Sequence, residues 1–209
     1  MARVFGSEFR KVENREHLGK PALVAVATRT YDTTVEDLWD AITTPERLAR
    51  WFLPVEGELK LGGRYQLKGN AGGTIIRCDR PEALDLTWEF GGGTSWVNVR
   101  LAPDGRRARL TLEHIAHRDG IGEAHFKKFG PGAVGIGWDL TLHGLDLYFA
   151  SAGAALDHDA VEAWTQSSEG KAFMRASGEA WGAAHAASGD DPDEARAQAE
   201  RTIAFYTGG

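Results

Sequence analysis

Thr33-Thr34-Val35-Glu36-Asp37-Leu38-Trp39-Asp40-Ala41-Ile42-Thr43-Thr44-Pro45-Glu46-Arg47-Leu48-Ala49-Arg50-Trp51-Phe52-Leu53-Pro54 is the stretch that decides how this chain is read. Val35, Leu38, Trp39 and Ile42 fall at i, i+3, i+4 and i+7, which makes one apolar helical stripe that must be buried. Thr33 with Glu36 three residues later forms a capping box, so a helix is predicted to begin near Thr34. Thr44 is a good N-cap for a second helix, with Pro45 at the first position, where its missing N–H is no loss. Leu48, Trp51 and Phe52 then face one way, and Pro54 ends the pair.

Upstream, Ala22 to Tyr31 is rich in Val, Ala and Thr and reads as the first strand, with Val24 and Val26 competing against Leu23 and Ala27 for the inward face. Residues 1–20 are charged and lack a clear period, and they read as a loosely attached N-terminal arm. Downstream, Arg64 to Lys68 alternates strictly, putting Tyr65 and Leu67 on one face. Asn70-Ala71-Gly72-Gly73 is predicted to be a hairpin turn. Leu84, Leu86, Trp88 and Phe90 share a face of a half-buried strand. Val97, Val99 and Leu101 share one face of the next, and Leu110, Leu112 and His114 one face of the last. Alternation of this kind fits an antiparallel meander with one covered face.

From Pro131 the period becomes helical. Val134, Trp138, Leu142, Leu145 and Phe149 form a stripe, with Leu140 and Leu147 apolar on another side, as in a helix buried between two layers. The Ala-rich tail from about Asp157 continues as helix. Phe173, Ser177, Ala180, Trp181 and Ala184 are helically spaced, and Gly189 is a stop signal. Asp191, Pro192 and Glu194 start a further helix, whose Ala195, Ala199, Thr202, Ile203 and Tyr206 face one way. The expected organisation is an arm at 1–20, a domain at 21–152 and a helical extension at 153–209 packed on that domain.

The motif Trp39-x-Ala41-Ile42-Thr43-x-Pro45-Glu46-x-Leu48-x-x-Trp51-Phe52 resembles the signature of helix-grip domains related to the chaperone ATPase activator, in the START and birch-pollen-allergen superfamily (SRPBCC). Gly62-Gly63-x-Tyr65, Pro81-x-x-Leu84-x-x-Thr87-Trp88, Leu110-x-Leu112-x-His114 and Gly137-Trp138 extend the resemblance over roughly residues 22–150. It implies an α+β fold: a curved antiparallel sheet gripping a long C-terminal helix, two short helices after strand 1, and a cavity that those helices close at one end. Here the helical tail is additional, the segment Ala116 to Phe129 is longer than usual, and a single proline stands at Pro81 where many members have two. The superfamily hosts binders, cyclases and regulators on one scaffold, so fold alone does not give function.

The chain has 209 residues, 42% of them hydrophobic and 26% charged, an ordinary globular composition. A net charge of −6 argues against a nucleic-acid partner, which calls for a basic face. Cys78 is the only cysteine, so no intramolecular disulfide forms and a cytoplasmic location is expected. No secretory leader and no apolar run long enough to span a bilayer is present, so no membrane partner is expected. The tail pattern serves equally a lid, a packing layer or a homodimer contact.

Several groups are candidates for chemistry. Trp51, Phe52, Tyr65, Trp88, Trp138 and Leu142 are read as walls of a pocket for a small hydrophobic or aromatic molecule, against the plainer account that they fill a core. His114, ending a strand on the apolar face, is a ligand-orienting or acid-base candidate, against a histidine satisfied by a carbonyl. Asp139, His143 and Asp146 at i, i+4 and i+7 allow both carboxylates to approach one imidazole, although a solvated polar face is simpler. His114, His117, Asp119, Glu123 and His125 crowd one region without the spacing of a metal site, and no metal or cofactor is expected. Gly130-Pro131-Gly132-Ala133-Val134-Gly135 matches Gly-x-Gly-x-x-Gly but follows a charged segment rather than a strand, so it reads as a close-packed helix start. The function expected is ligand binding. The alternatives are a cyclase-, aromatase- or hydrolase-like enzyme using His114 or His143, and a chaperone cofactor or other protein–protein role.

Overall fold

Half-buried alternating segments pair into a single sheet. The computed structural model describes residues 6–119 and 123–209, without the side chains of Glu123 and His125. Strands β1 (Phe9–His17), β2 (Lys20–Tyr31), β3 (Val55–Gly57), β4 (Arg64–Leu67), β5 (Gly72–Asp79), β6 (Ala83–Phe90), β7 (Gly93–Asp104) and β8 (Arg107–His117) run in the order β1-β2-β8-β7-β6-β5-β4-β3. Every neighbouring pair is antiparallel, and β1 and β3 form the free edges of a curved, unclosed sheet. Helices α1 (Val35–Thr43) and α2 (Pro45–Trp51) follow β2. After the sheet come α3 (Glu123–Phe129), α4 (Gly132–Ala150), α5 (His158–Gln166), α6 (Ser168–Ala186) and α7 (Pro192–Thr207). The α+β class, the long helix and the helical tail are as the residues imply.

Three local expectations change. The charged stretch read as a loose arm forms β1 over residues 9–17, paired with β2 from Phe9↔Thr28 to His17↔Lys20; residues 1–5 lie outside the described residues. The strand before α1 is therefore the second, not the first. Val12 is the one β1 side chain in the main core, so the period-2 signal is nearly silent and backbone pairing holds the strand. A charged edge of this kind also discourages pairing with other chains. The α1 N-cap is Thr34, one residue later than the Thr33 capping box, and its hydroxyl accepts from the Asp37 N–H at 3.2 Å. Thr33 instead donates to the Asp37 carboxylate at 2.5 Å. The β4–β5 turn centres on Gly69 at φ +70°, because Gly72 and Gly73 are already in β5. A Cβ at Gly73 would lie 2.0 Å from the Thr87 carbonyl oxygen, so that glycine permits close strand approach.

The competition between parities in β2 has no loser. Leu23, Ala25 and Ala27 enter the main core with Leu112, Leu142 and Leu145, whereas Ala22, Val24 and Val26 pack with Ile115 and Trp96 on the other face. On α4 the buried residues include Ile136, Asp139, Leu142, Leu145 and Tyr148. Val134 and Leu147, expected to be covered, are 37% and 38% exposed. Leu142 faces the sheet, and its carbonyl accepts from the buried Tyr31 hydroxyl at 3.1 Å.

The tail covers the opposite side of α4. Phe173 and Met174 of α6 pack with Ile136, and Trp181 lies against Gly135, where a Cβ would stand 2.5 Å from the indole ring. Gly135, in the first turn of α4, thus serves close helix packing. Asp191 caps α7 through its carboxylate, accepting from the Asp193 and Glu194 N–H groups at 2.8 and 3.1 Å. Buried Asp139 links these layers. Its carboxylate accepts from the Ser7 backbone N–H and hydroxyl, Arg10 Nε, the Ser177 hydroxyl and Trp181 Nε1.

Candidate functional site

Curvature of the sheet leaves a cavity of about 490 Å³ between its concave face and α4. The two short helices, the sheet and α4 supply the walls. Helices α1 and α2 contribute Trp39, Ile42, Leu48 and Trp51, with Phe52 just beyond α2. The sheet contributes Tyr65, Leu67, Ile75, Leu84, Leu86, Trp88, Val97, Val99, Leu110 and Leu112. Helix α4 adds Trp138, Thr141, Leu142 and Leu145, and Val55 and Leu59 close a further side. Alternation explains the β6 wall: Leu84, Leu86 and Trp88 sit two residues apart and so point to one face. Register explains its neighbour, because Leu84 pairs with Val99 and Leu86 with Val97.

Of the seven residues expected to bind a ligand, Trp51, Phe52, Tyr65, Trp88, Trp138 and Leu142 line this space, and His114 is not among the lining residues. His114 is 7% exposed and lies in a hydrogen-bonded relay. Trp138 Nε1–H donates to His114 Nδ1 at 3.0 Å, which fixes Nδ1 as an acceptor and leaves the proton on Nε2. His114 Nε2–H then donates to Ser95 Oγ at 3.0 Å, and the Ser95 hydroxyl donates to the Trp88 carbonyl at 3.2 Å. Every polar atom of the imidazole is satisfied while neutral, and burial pushes its pKa from 6.5 down to about 4. The ring therefore orients Trp138 from behind. Ser95 escaped notice in the sequence; the signal for it was its position two residues before Val97 on the face of His114.

Asp139, His143 and Asp146 do not converge. Asp139 is fully buried among the donors named above, so it does not belong to a solvated face either. Asp146 pairs with Arg29 at 2.8 Å, and the His143 ring packs against Trp164 and Phe173 at 5.3 and 5.2 Å between centroids. His117 donates from Nε2 to the His17 carbonyl at 2.9 Å and packs tilted against the Trp96 ring. The Glu123 and His125 side chains of the crowded acidic and histidine region lie outside the described residues. Among the described residues, no group of three or more His, Cys, Asp or Glu is placed to hold a metal ion.

The polar groups on the cavity wall are few. Trp51 Nε1–H donates to the Ala41 carbonyl at 3.0 Å and ties α2 to α1. The Tyr65 hydroxyl donates to the Thr87 carbonyl at 2.8 Å, and burial raises its pKa so that it stays neutral. The charged pair on the lining is Asp40 and Arg80, joined at 2.9 Å with 42% and 65% of their side chains exposed. Exposed Cys78 lies on the same rim. No described helix is long and apolar enough to cross a membrane.

Comparison with known proteins follows the same geometry. A family model described as "Activator of Hsp90 ATPase homolog 1-like protein" matches residues 32–150. The solution structure of CalU16 from Micromonospora echinospora is 30% identical, with a TM-score of 0.71, over 90% of this chain and 100% of that one. The crystal structure of the same protein gives 29% identity and a TM-score of 0.65 over 84% and 96%. Protein MLL2253 from Mesorhizobium loti, 17% identical with a TM-score of 0.52 over 61% of this chain and 97% of that one, shares the fold alone. No curated protein is significantly similar in sequence.

Proposed function

The chain belongs to the Activator of Hsp90 ATPase homolog 1-like family, and from that premise we propose that it encloses one small hydrophobic or aromatic molecule between its sheet and α4. The observation that carries this reading is a 490 Å³ space walled by aliphatic and aromatic side chains. Ligand sites are commonly about 300–1,000 Å³ and mainly apolar, with few polar groups. Trp51, Phe52, Trp88 and Trp138 supply flat surfaces against which a ring stacks, and Leu142 with the sheet leucines fills the gaps. Tyr65 is one polar contact among the few on the wall. A protein with one exposed thiol and no disulfide suits a reducing, cytoplasmic setting.

Binding is favoured over a cyclase-, aromatase- or hydrolase-like reaction by the state of the two histidines that such chemistry would use. His114 is neutral, committed on both nitrogens and behind Trp138. His143 packs on the other side of α4 among Trp164 and Phe173. The chaperone-cofactor alternative comes with the family description, and unchanged ATPase turnover of the chaperone on adding the purified protein removes it.

Native mass spectrometry of freshly purified protein, with release and identification of any adduct, tests the proposal. A stoichiometric apolar molecule that is absent from a Leu112→Trp variant supports it, because the indole occupies the space the ligand needs. Absence of any adduct, with no thermal shift across a panel of neutral aromatic compounds, overturns it.

A further inference from the structure

We infer, on the ligand-binding reading above, that the molecule held in the cavity carries a neutral hydrogen-bond acceptor, such as the carbonyl of a flat aromatic ketone or ester, which pairs with an indole N–H of the wall. The polar groups of the wall divide into those already paired and those left open. Trp51 Nε1–H is paired with the Ala41 carbonyl, Trp138 Nε1–H with His114, and the Tyr65 hydroxyl with the Thr87 carbonyl. Trp39, Trp88 and Thr44 also stand on the wall, and among the described residues their indole N–H and hydroxyl groups have no hydrogen-bond partner.

Trp39 carries the argument. It is 3% exposed, yet its Nε1 is not among the side-chain atoms shut away without a partner. The surface it keeps therefore includes the N–H, and on a wall residue this enclosed that surface belongs to the cavity. An indole N–H can only donate. Left dry and unpaired, such a donor costs its full desolvation, which is why buried polar groups are nearly always satisfied. Water meets the need in an open site, and a ligand that displaces it must bring an acceptor or lose affinity. Half-buried Trp88, with its ring 5.2 Å from that of Trp138, offers a second donor from the sheet side. A carbonyl oxygen takes one of these protons while its ring system packs on the aromatic wall.

The test compares 2-acetylnaphthalene with 2-isopropenylnaphthalene, in which a methylene group replaces the carbonyl oxygen and the shape is kept. Calorimetric titration gives the affinities, and the indole N–H resonances of isotope-labelled protein report on the donors directly. The ketone is expected to move the Trp39 or Trp88 N–H resonance downfield, and the alkene to leave both without that shift. In Trp39→Phe or Trp88→Phe, the ratio of ketone to alkene affinity is expected to fall about three- to tenfold, the worth of one hydrogen bond. Taking the ratio cancels the loss of ring packing that both probes feel. Trp88→Phe and the wild-type resonances decide the matter if Trp39→Phe does not fold. An unchanged ratio, or equal resonance shifts with ketone and alkene, overturns the inference and leaves cavity binding intact, as does a natural adduct without any oxygen or nitrogen acceptor. Failure of both probes, together with an empty protein by mass spectrometry, overturns the ligand-binding reading and this inference with it.

Discussion

Titration of His114 is the sharpest handle on the polar relay behind the cavity. Its imidazole is neutral in the folded protein because burial opposes the charge and because Nδ1 accepts from Trp138, so a second proton has no place. The folded pKa of about 4 lies below the ordinary 6.5. Between those values the unfolded chain holds one more proton than the folded one, and stability therefore rises with pH across that window. The contribution is complete above the unfolded value and is lost as pH falls toward the folded one. At a slope of about 1.4 kcal/mol per pH unit, the loss from pH 7 to pH 5 is about 2 kcal/mol. Removing the titrating group isolates this amount, since His17 and the carboxylates titrate alike in both proteins. Urea unfolding of wild type and His114→Gln at pH 7 and pH 5 measures it; glutamine can still accept from Trp138 and donate to Ser95. The wild type is expected to lose about 2 kcal/mol more than the variant over this interval. Equal pH dependence in the two proteins would refute the assignment of a buried, neutral His114.

Other substitutions probe the frame that holds the site. Gly135→Ala puts a methyl group 2.5 Å from the Trp181 ring and is expected to cost about 1–3 kcal/mol in urea unfolding, whereas an unchanged midpoint would mean that α6 does not press on α4. Asp139→Asn removes the charge facing Arg10 and replaces one of two acceptor oxygens with an NH2 group that faces donors, so stability should fall by about 3–5 kcal/mol. Limited proteolysis should then cut between α4 and α5 earlier than in wild type, and the same cleavage rate would count against the link. Leu112→Trp fills the cavity and is expected to abolish uptake of a neutral aromatic probe without lowering the thermal midpoint. Retained uptake would place the ligand elsewhere.

Much of this architecture was legible because periodicity reports directly on burial. The stripe Leu38, Trp39 and the alternation Leu84, Leu86, Trp88 declare which side chains share a face, and the same pattern named most of the aromatic wall. The N-terminal strand was not legible. Its side chains are charged and only Val12 is buried, so what fixes it is a backbone ladder with β2 that leaves no trace in side-chain periodicity. Spacing also misled on α4. Asp139, His143 and Asp146 lie within reach of one another along the helix, yet three different neighbours claim them.

The sequence by itself determined the α+β class, the order of most elements, the two short helices and the apolar faces, because each follows from local capping and from a period of two or 3.6 residues. Only the tertiary structure decided that His114 stands behind the cavity rather than in it and that Asp139 is a buried hub. Those outcomes depend on partners distant along the chain, such as Ser95 and Trp138 for His114, or Ser7 and Trp181 for Asp139. Hydrogen bonds are satisfied by whatever group the fold brings within about 3 Å, and that choice is made by packing, not by spacing.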